Sequence, residues 1–264
     1  MKGEAPSLFE STFGTLNLDD YDLERVNFSF PSENVWVVEK WNWDYPKAHE
    51  FQLKSTEIIK EHREVLLLIF CNHPCCFTLG RGLQKNKIPE GTHLVDFDPS
   101  LKERLPFPLY EIKRGGGLTF HYPGQWVFYP IINLTGKNID VYKMMHLILG
   151  IGQQSLEHLF RVEGLSHKET LLGLWHKTKK LASIGIAITR FVTYHGMALN
   201  IAYDEKVSSA LSMVNPCGLP GQTYTDLESI LEKSGAQKED LFSTFHQNYL
   251  SSVLSDVLRK EVIS

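Results

Sequence analysis

The sequence lacks several features, and each absence excludes a class of protein. Its 27 basic and 31 acidic side chains give a net charge of −4, without the basic surplus typical of nucleic-acid-binding proteins. The longest apolar run, at 65–71, is too short to span a bilayer, and the first residues lack the apolar segment of a secretory signal. Four cysteines in 264 residues are no disulfide framework, so a reducing cytoplasm is expected, with neither nucleic acid nor membrane as a partner.

What is present is an ordinary folded composition. Hydrophobic residues make up 42% and charged residues 22% of the chain, which is enough apolar material for a sizeable core. The length fits one domain. We predict an N-terminal extension or surface-wrapping arm at 1–30, where the pattern is weak, and a single domain at 31–264. The last ~45 residues could form a small C-terminal lobe.

Hydrophobic periodicity predicts a mixture of strands and helices. Strands are expected at 34–41, 64–70, 109–113, 126–132, 181–188 and 193–201. Helices are expected to begin at Asp44 and to cover 140–160 and 239–258. A capping-box pattern at 225–228 predicts a further helix that ends near Gly235. Small residues in the last two strands, among them Gly185 and Gly196, predict room for a ligand tunnel above the sheet.

Three consecutive glycines, Gly115, Gly116 and Gly117, lie between two strand-like runs. Because they have no side chains, a ligand can approach the main chain and its N–H groups directly. The stretch matches neither G-x-G-x-x-G nor a P-loop, and no Lys-Ser/Thr closes it. A slot for an extended apolar chain or a flat acyl group is therefore at least as good an interpretation as a phosphate cradle, and a flexible loop is the alternative.

One cysteine, Cys217, stands apart from the other three and lies between Pro216 and Gly218. Proline fixes φ and glycine permits conformations that other residues resist, so the triplet predicts a sharp turn that presents a thiol. The alternative is a small buried hydrophobic residue, since free cysteines are among the most buried residue types. A thiol acts as a nucleophile in its thiolate form, and a nearby cation lowers its pKa.

The candidate partners of that thiol are one lysine and three histidines: Lys180, His121, His176 and His195. Lys180 meets a strand of small and apolar residues, where burial would lower its own pKa. An exposed lysine at the sheet edge is the alternative. The cysteines at 71–76 have no C-x-x-C pair and no second pair of ligands, so a metal site there is disfavoured.

Four blocks of the sequence resemble motifs of the lipoyl(octanoyl) transferases, which move octanoate from acyl carrier protein onto lipoyl domains. The first two blocks are His73-Pro74…Phe77-Thr78-Leu79-Gly80 and Arg114-Gly115-Gly116…Thr119-Phe120-His121…Pro123-Gly124-Gln125. The third is Lys180-Leu181-Ala182-Ser183-Ile184-Gly185 with His195-Gly196-Met197-Ala198-Leu199-Asn200, and the fourth is Pro216-Cys217-Gly218…Gly221…Thr225…Leu227. The blocks follow in the order of the family.

The resemblance implies a fold and a reaction. The fold is α/β, a mixed sheet packed on helices, as in the catalytic domain of lipoate and biotin protein ligases. The reaction is acyl transfer with no cofactor and no metal. Cys217 would take the octanoyl group from octanoyl-acyl carrier protein, and Lys180 would depress the Cys217 pKa and help to move protons. The acceptor would be a lysine of lipoyl domains, found in the E2 subunits of pyruvate and 2-oxoglutarate dehydrogenase and in the glycine cleavage H protein.

The resemblance also implies which residues line the acyl site. They are Arg114, Gly115, Gly116, Gly117, Leu118, Thr119, Phe120, His121, Ser183, Ile184, Gly185, His195, Gly196, Met197 and Ala198. Tyr122 departs from the family, which has Gly at that position, and we expect it to narrow or reshape the mouth of the acyl site. A basic cluster beside Lys180 could dock an acidic carrier protein or form a solvated face; its members are Lys168, Lys177, Lys179 and Arg190.

Three other functions stay open at this point. An ATP-dependent lipoate or biotin ligase would activate a free acid and need no cysteine, so the Pro-Cys-Gly triplet favours the transferase. A cysteine hydrolase would use His121 or His195 as its base. A non-catalytic module would bind an acyl group without reacting with it.

Overall fold

A mixed eight-stranded sheet forms the centre of the protein in a computed structural model, which describes residues 4–82, 102–103, 105–137, 139–167, 173–213, 223–231 and 238–256. In chain order the strands are β1 (Phe28–Ser32), β2 (Val35–Lys40), β3 (Leu66–Cys71), β4 (Cys76–Gly82), β5 (Leu109–Glu111), β6 (Gly116–His121), β7 (Gln125–Ile132), β8 (Leu165–His167), β9 (Gly173–His176), β10 (Lys179–Thr189) and β11 (Val192–Asn200). The helices are α1 (Ser7–Ser11), α2 (Tyr45–Glu61), α3 (Val141–Phe160), α4 (Glu205–Met213), α5 (Leu227–Ile230) and α6 (Lys238–Asp256).

The order of the large sheet is β1-β2-β3-β7-β11-β10-β9-β8, and β5-β4-β6 form a second, smaller sheet. In the large sheet β2 and β3 run parallel and are connected through α2, whereas the other neighbouring strands are antiparallel. This mixed sheet packed on helices confirms the predicted α/β fold class. The predicted strands and the helices at 44 and 140–160 are also confirmed, with small shifts at their ends. The helix predicted at 239–258 is confirmed up to Asp256, and its last two positions lie outside the described residues.

Helices cover both faces of the large sheet, which is why its central strands β3 and β7 are buried along their whole length. All six residues of β3 are buried, as its continuous apolar run predicts. On one face α3 and α6 pack together, and Phe245 and Tyr249 of α6 join the main core. The C-terminal helix is therefore part of that core, and the possible separate lobe is wrong. Among the described helices, none combines the length and apolarity needed to cross a membrane.

On the opposite face α2 and the N-terminal segment form a second core. Phe9 and Phe13 are fully buried there, and the ring of Phe9 lies within 6 Å of the rings of Phe28, Phe30 and Trp36. The next strand, β1, pairs with β2 at the edge of the sheet. The described part of the segment at 1–30 therefore contributes large aromatic side chains to the interior.

The helix predicted from the pattern at 225–228 begins one residue later than a Thr225 cap would place it. Asp226 is the N-cap of α5, and its Oδ1 accepts a hydrogen bond from the backbone N–H of Ser229 at 2.7 Å. Glu228, which a capping box would turn back to the N-cap, instead accepts from the N–H of Tyr203 at 2.9 Å. The expected end near Gly235 lies outside the described residues.

The packing of the N-terminal segment predicts that Phe9→Ala destabilises the whole protein. Removal of a fully buried phenylalanine leaves a cavity and costs about 3–5 kcal/mol of unfolding free energy. Urea unfolding followed by tryptophan fluorescence measures the change. The control is Phe191→Ala, since Phe191 is 68% exposed and its removal should cost under about 0.5 kcal/mol. Equal unfolding midpoints for the two variants would show that the segment does not stabilise the fold.

Candidate active site

The glycine-rich stretch starts the last strand of the small sheet. Gly116 and Gly117 belong to β6, and Gly116 has a φ of 81°, a conformation that favours glycine. Farther along β6 the side chains alternate between two faces. Thr119 and His121 point toward Arg114 and Thr78. Two of the three glycines therefore belong to a sheet, and the alternative of a flexible loop is wrong.

The other face of β6 packs into an apolar cluster. Leu118, Phe120 and Tyr122 lie there with Phe77 and Ala210. The hydroxyl of Tyr122 donates to the carbonyl of Ala202 at 3.0 Å, and burial raises the pKa of that hydroxyl well above its ordinary value. Since Tyr122 lies on the face opposite His121, its bulk is directed away from the glycine turn. The larger side chain at this position is accommodated by this cluster, and the expectation that it narrows or reshapes the mouth of the acyl site stays a prediction.

Arg114 holds the glycine turn together. Its guanidinium donates to the carbonyls of Gly115 at 3.0 Å and Gly117 at 3.1 Å. It also donates to the carbonyl and hydroxyl of Thr78 at 3.0 and 2.8 Å and to the hydroxyl of Thr119 at 2.8 Å. Arg114 is 7% exposed, so these bonds form in an environment of low dielectric where they are strong. The arginine thus shapes the site by fixing the backbone around the three glycines.

The glycine turn lies directly against β10, which brings two of the sequence blocks together. A Cβ at Gly185 would lie 2.8 Å from the carbonyl oxygen of Gly115, so a larger residue would push the turn away. A Cβ at Gly115 would meet nothing within 4 Å, which leaves open space on that side. Ser183 and Gly185 alternate with Ile184, which belongs to the main core on the other face.

Gly196 in β11 serves packing, and the expectation of free space above it is wrong. A Cβ there would lie 2.1 Å from the carbonyl oxygen of Phe128 in β7. Met197 belongs to the main core below the sheet, and Ala198 belongs to the second core with α2. Small residues in this hairpin therefore let backbones approach one another, and the open space lies at Gly115.

Lys180 is buried at the start of β10. It is 3% exposed, and its Nζ lies 5.7 Å from the centroid of the Trp175 ring, within the range of a cation–π contact. A Cβ at Gly173 would lie 2.3 Å from the Ala182 carbonyl oxygen and 2.7 Å from Lys180 Cε, so the backbone of β10 requires a glycine beside the lysine stem. The alternative of an exposed edge lysine is therefore wrong.

The chain that follows the Pro-Cys-Gly triplet pairs with this lysine. Cys217 itself lies outside the described residues, with Pro216 and Gly218. Where the described chain resumes, Tyr224 forms a parallel bridge with Lys180, and the N–H of Thr225 donates to the Lys180 carbonyl at 3.1 Å. The strand of the lysine and the fourth sequence block thus meet at Thr225.

Two buried histidines are held neutral by their surroundings. His121 Nδ1 donates to Gln125 Oε1 at 2.7 Å, and its Nε2 accepts from the Thr78 hydroxyl at 3.2 Å. Burial holds the His121 pKa well below its ordinary value, and the Arg114 cation acts in the same direction. His73 donates through Nδ1 to the Trp43 carbonyl, and burial lowers its pKa to about 4. Both imidazoles are therefore uncharged at neutral pH.

His195 has an unusual backbone inside β11. Its φ is 59°, and its N–H donates to Oε1 of Gln52 on α2 at 2.8 Å. Its ring stacks on His49 with centroids 5.1 Å apart, and burial together with His49 and Arg114 holds its pKa well below the ordinary value. Sequence patterns did not single out Gln52 or His49. The sequence offered one sign that Gln52 is buried, namely its place beside Phe51 on the buried side of α2.

The proposed basic cluster divides into two places. Lys177 and Lys179 lie in and next to the turn between β9 and β10, near Lys180. Arg190 lies at the other end of β10, about 30 Å away at ~3.3 Å per residue, so its expected position beside Lys180 is wrong. Lys168 lies outside the described residues. His176 pairs in register with Lys179 across the same hairpin.

Known proteins resemble this chain over most of its length. The family described as the lipoyl protein ligase A/B catalytic domain matches residues 44–245. A chloroplastic octanoyltransferase of Arabidopsis thaliana is 30% identical over 192 residues, which cover 73% of this chain and 62% of the plant protein. An octanoyltransferase of Synechococcus elongatus is 36% identical over 200 residues, 73% of this chain and 77% of its own.

Solved structures of lipoate ligases share the fold. A lipoate-protein ligase A bound with ATP has a TM-score of 0.57 at 12% identity and covers 84% of each chain. A putative lipoate protein ligase from T. acidophilum has a TM-score of 0.56 at 13% identity, with 81% of this chain and 85% of the other covered. The protein is thus an α/β protein with the lipoate-ligase fold. It belongs to the lipoyl protein ligase A/B catalytic domain family.

The contact between α2 and β11 predicts the effect of Gln52→Leu. The buried His195 N–H would lose its acceptor, which costs about 1–3 kcal/mol of unfolding free energy. Chemical denaturation measures the loss. Gln154→Leu, at an exposed position of α3, is the control and should change stability by under about 0.5 kcal/mol. If both variants unfold at the same denaturant concentration, the hydrogen bond from the His195 N–H to Gln52 does not contribute to stability.

Proposed function

We propose that this protein is an octanoyltransferase that moves an octanoyl group from octanoyl-acyl carrier protein to a lysine of lipoyl domains. This would be the first step of protein lipoylation. Family membership and the octanoyltransferase relatives support the reaction class. The observation that carries the proposal is the buried Lys180 paired with the chain that follows Cys217, because a thiol nucleophile needs a nearby cation.

Cys217 is the proposed nucleophile, and the pKa values of the other cysteines support this choice. Burial raises the pKa of Cys76 to about 12 and that of Cys71 well above its ordinary value. The pKa of Cys75 is also raised, mainly by burial. These three thiols stay protonated at neutral pH and are poor nucleophiles.

The proposed reaction has two half-reactions. The Cys217 thiolate attacks the thioester carbonyl of the donor, the carbon–sulfur bond to the carrier breaks, and the carrier thiolate leaves and takes up a proton. The acyl group is then a thioester on Cys217. In the second half the neutral amine of the acceptor lysine attacks that carbonyl, an amide forms, and the Cys217 thiolate is regenerated as the amine loses a proton. Lys180 would stabilise the thiolate and hand protons to and from the leaving groups.

The acyl chain would lie along the glycine turn in the open space beside Gly115. In this proposal Gly115, Gly116 and Gly117 present their main chain, with Ser183 and Gly185 opposite. The conformation of the turn would be maintained by the hydrogen bonds of Arg114, Thr119 and His121. Four further residues would form the apolar packing behind the acyl chain, because they belong to the hydrophobic clusters there: Leu118, Phe120, Ile184 and Met197.

The proposed partners are an acyl carrier protein as donor and lipoyl domains as acceptors, including those of E2 subunits and the glycine cleavage H protein. Lys177 and Lys179 are exposed next to Lys180 and would attract an acidic carrier, mainly by raising the association rate. The free Cys71, Cys75 and Cys76 fit a reducing compartment such as the cytoplasm.

An ATP-dependent lipoate ligase is the second candidate, since one solved structure with this fold is a lipoate ligase bound with ATP. A ligase must form an acyl adenylate from a free acid, and it needs no cysteine. The two candidates therefore differ in their need for ATP and for the Cys217 thiol.

Transfer assays separate the two functions. We expect octanoyl-carrier protein and a lipoyl domain to give octanoylated domain without ATP. Cys217→Ser should abolish this transfer, because a serine hydroxyl is a much weaker nucleophile than a thiolate at neutral pH. Octanoylation from free octanoate that requires ATP and survives Cys217→Ser would establish the ligase and overturn the transferase.

Replacement of Lys180 tests its proposed role. Lys180→Met retains a long apolar stem in the buried site but removes the cation. The pH midpoint for alkylation of Cys217 by iodoacetamide should rise toward about 8.5, the value of a free thiol, and kcat should fall by about 10²- to 10⁴-fold. Lys143→Met, at an exposed position of α3, is the control. An unchanged alkylation midpoint in Lys180→Met would refute the role.

A further inference from the structure

We propose that Asn200 is a positioning residue that fixes the chain downstream of Cys217 against the main chain of Lys180. Asn200 is the last residue of β11 and is half-buried. The inference rests on the proposed function, since it concerns the geometry between Lys180 and the thiol. It follows from a continuous set of hydrogen bonds in which Asn200 is the link between β6–β7 and Thr225.

The carboxamide of Asn200 has a unique orientation. Gln125 Nε2 donates to the Phe120 carbonyl at 3.1 Å, and Gln125 Oε1 accepts from His121, so the Gln125 amide cannot be reversed. Gln125 Nε2 also donates to Asn200 Oδ1 at 3.0 Å. Asn200 Nδ2 must therefore face the Thr225 carbonyl, to which it donates at 3.0 Å.

Both backbone groups of Thr225 are then used at the site. Its carbonyl accepts from Asn200, and its N–H donates to the Lys180 carbonyl at 3.1 Å. Tyr224, one residue earlier, bridges to Lys180 in parallel. Thr225 follows Cys217 by eight positions in the chain. Asn200 thus connects the glycine strand, the lysine and the chain of the proposed nucleophile.

An aspartate in place of Asn200 would turn the attractive contact with the Thr225 carbonyl into a repulsive one. Its Oδ1 could still accept from Gln125, but its second oxygen would face the Thr225 carbonyl, and two acceptors repel each other. The Thr225 segment would move relative to Lys180. Since a displacement of about 1 Å can cost on the order of 100-fold in rate, we expect a large kinetic effect from a small structural change.

The chain offers a matched control in Asn133, which is 1% exposed. Its Nδ2 donates to the Lys60 carbonyl at 3.1 Å, and its Oδ1 accepts from the Thr135 N–H at 2.9 Å. Asn133→Asp therefore disrupts the same kind of bond to a main-chain carbonyl. Because it lies at the end of α2 and β7, away from Lys180, it should lower stability without changing the chemistry of the thiol.

The experiment compares Asn200→Asp and Asn133→Asp in two measurements on folded protein. These are kcat and KM for octanoyl transfer and the pH profile of Cys217 alkylation by iodoacetamide. Asn200→Asp should lower kcat by on the order of 100-fold, with a smaller change in KM, and should raise the alkylation midpoint. Asn133→Asp should change neither.

If Asn200→Asp does not fold, Asn200→Ala removes the amide without adding a charge, and the same shifts are expected. Wild-type kcat and alkylation in the folded Asn200 variant, or equal shifts in Asn133→Asp, would overturn the positioning role. Cys217→Ser separates the two claims. If it retains full transfer activity, the proposed function fails; if it is inactive while the Asn200 variant behaves as wild type, only the role of Asn200 fails.

Discussion

The candidate site depends on a main-chain contact that leaves no space for a side chain. The glycine turn lies so close to β10 that a Cβ at Gly185 would come within 2.8 Å of the Gly115 carbonyl. Arg114 holds the turn in this position through bonds to the Gly115 and Gly117 carbonyls and to Thr78 and Thr119. This contact attaches the small sheet to the large one and leaves open space beside Gly115, where a Cβ would meet nothing within 4 Å.

A second feature is a series of uncharged polar groups that are hydrogen-bonded to one another from β6 to the main chain of Lys180. Burial keeps His121 uncharged, and its Nδ1–H donates to Oε1 of Gln125. The Nε2 of Gln125 in turn donates to Oδ1 of Asn200, which fixes the orientation of the Asn200 amide. Asn200 in turn holds Thr225 beside Lys180. Each group in the series has one arrangement that satisfies all its partners, so the polar network specifies geometry as well as contributing stability. The main chain of Lys180, whose side chain is buried, is thereby bonded to the end of this series.

Local sequence patterns predicted the elements of this fold but not how their faces meet. The apolar run of β3 and the periodicity of α3 and α6 depend on nearby residues, and those elements are as expected. Motif resemblance brought residues 114–125, 180–185 and 225 into one site. The left-handed backbone of His195 depends on Gln52, which lies 143 positions earlier in the chain, and the direction of Tyr122 depends on Ala202 and Ala210. Such contacts arise from the tertiary structure, so no local pattern reports them.

The central claim is that Cys217 carries the acyl group between donor and acceptor. Intact-mass analysis after mixing with octanoyl-acyl carrier protein tests it most directly. We predict a mass gain equal to one octanoyl group, which is absent in Cys217→Ala and disappears when a lipoyl domain is added. A lack of any lasting adduct, or an adduct of the same size in Cys217→Ala, would show that Cys217 does not carry the acyl group.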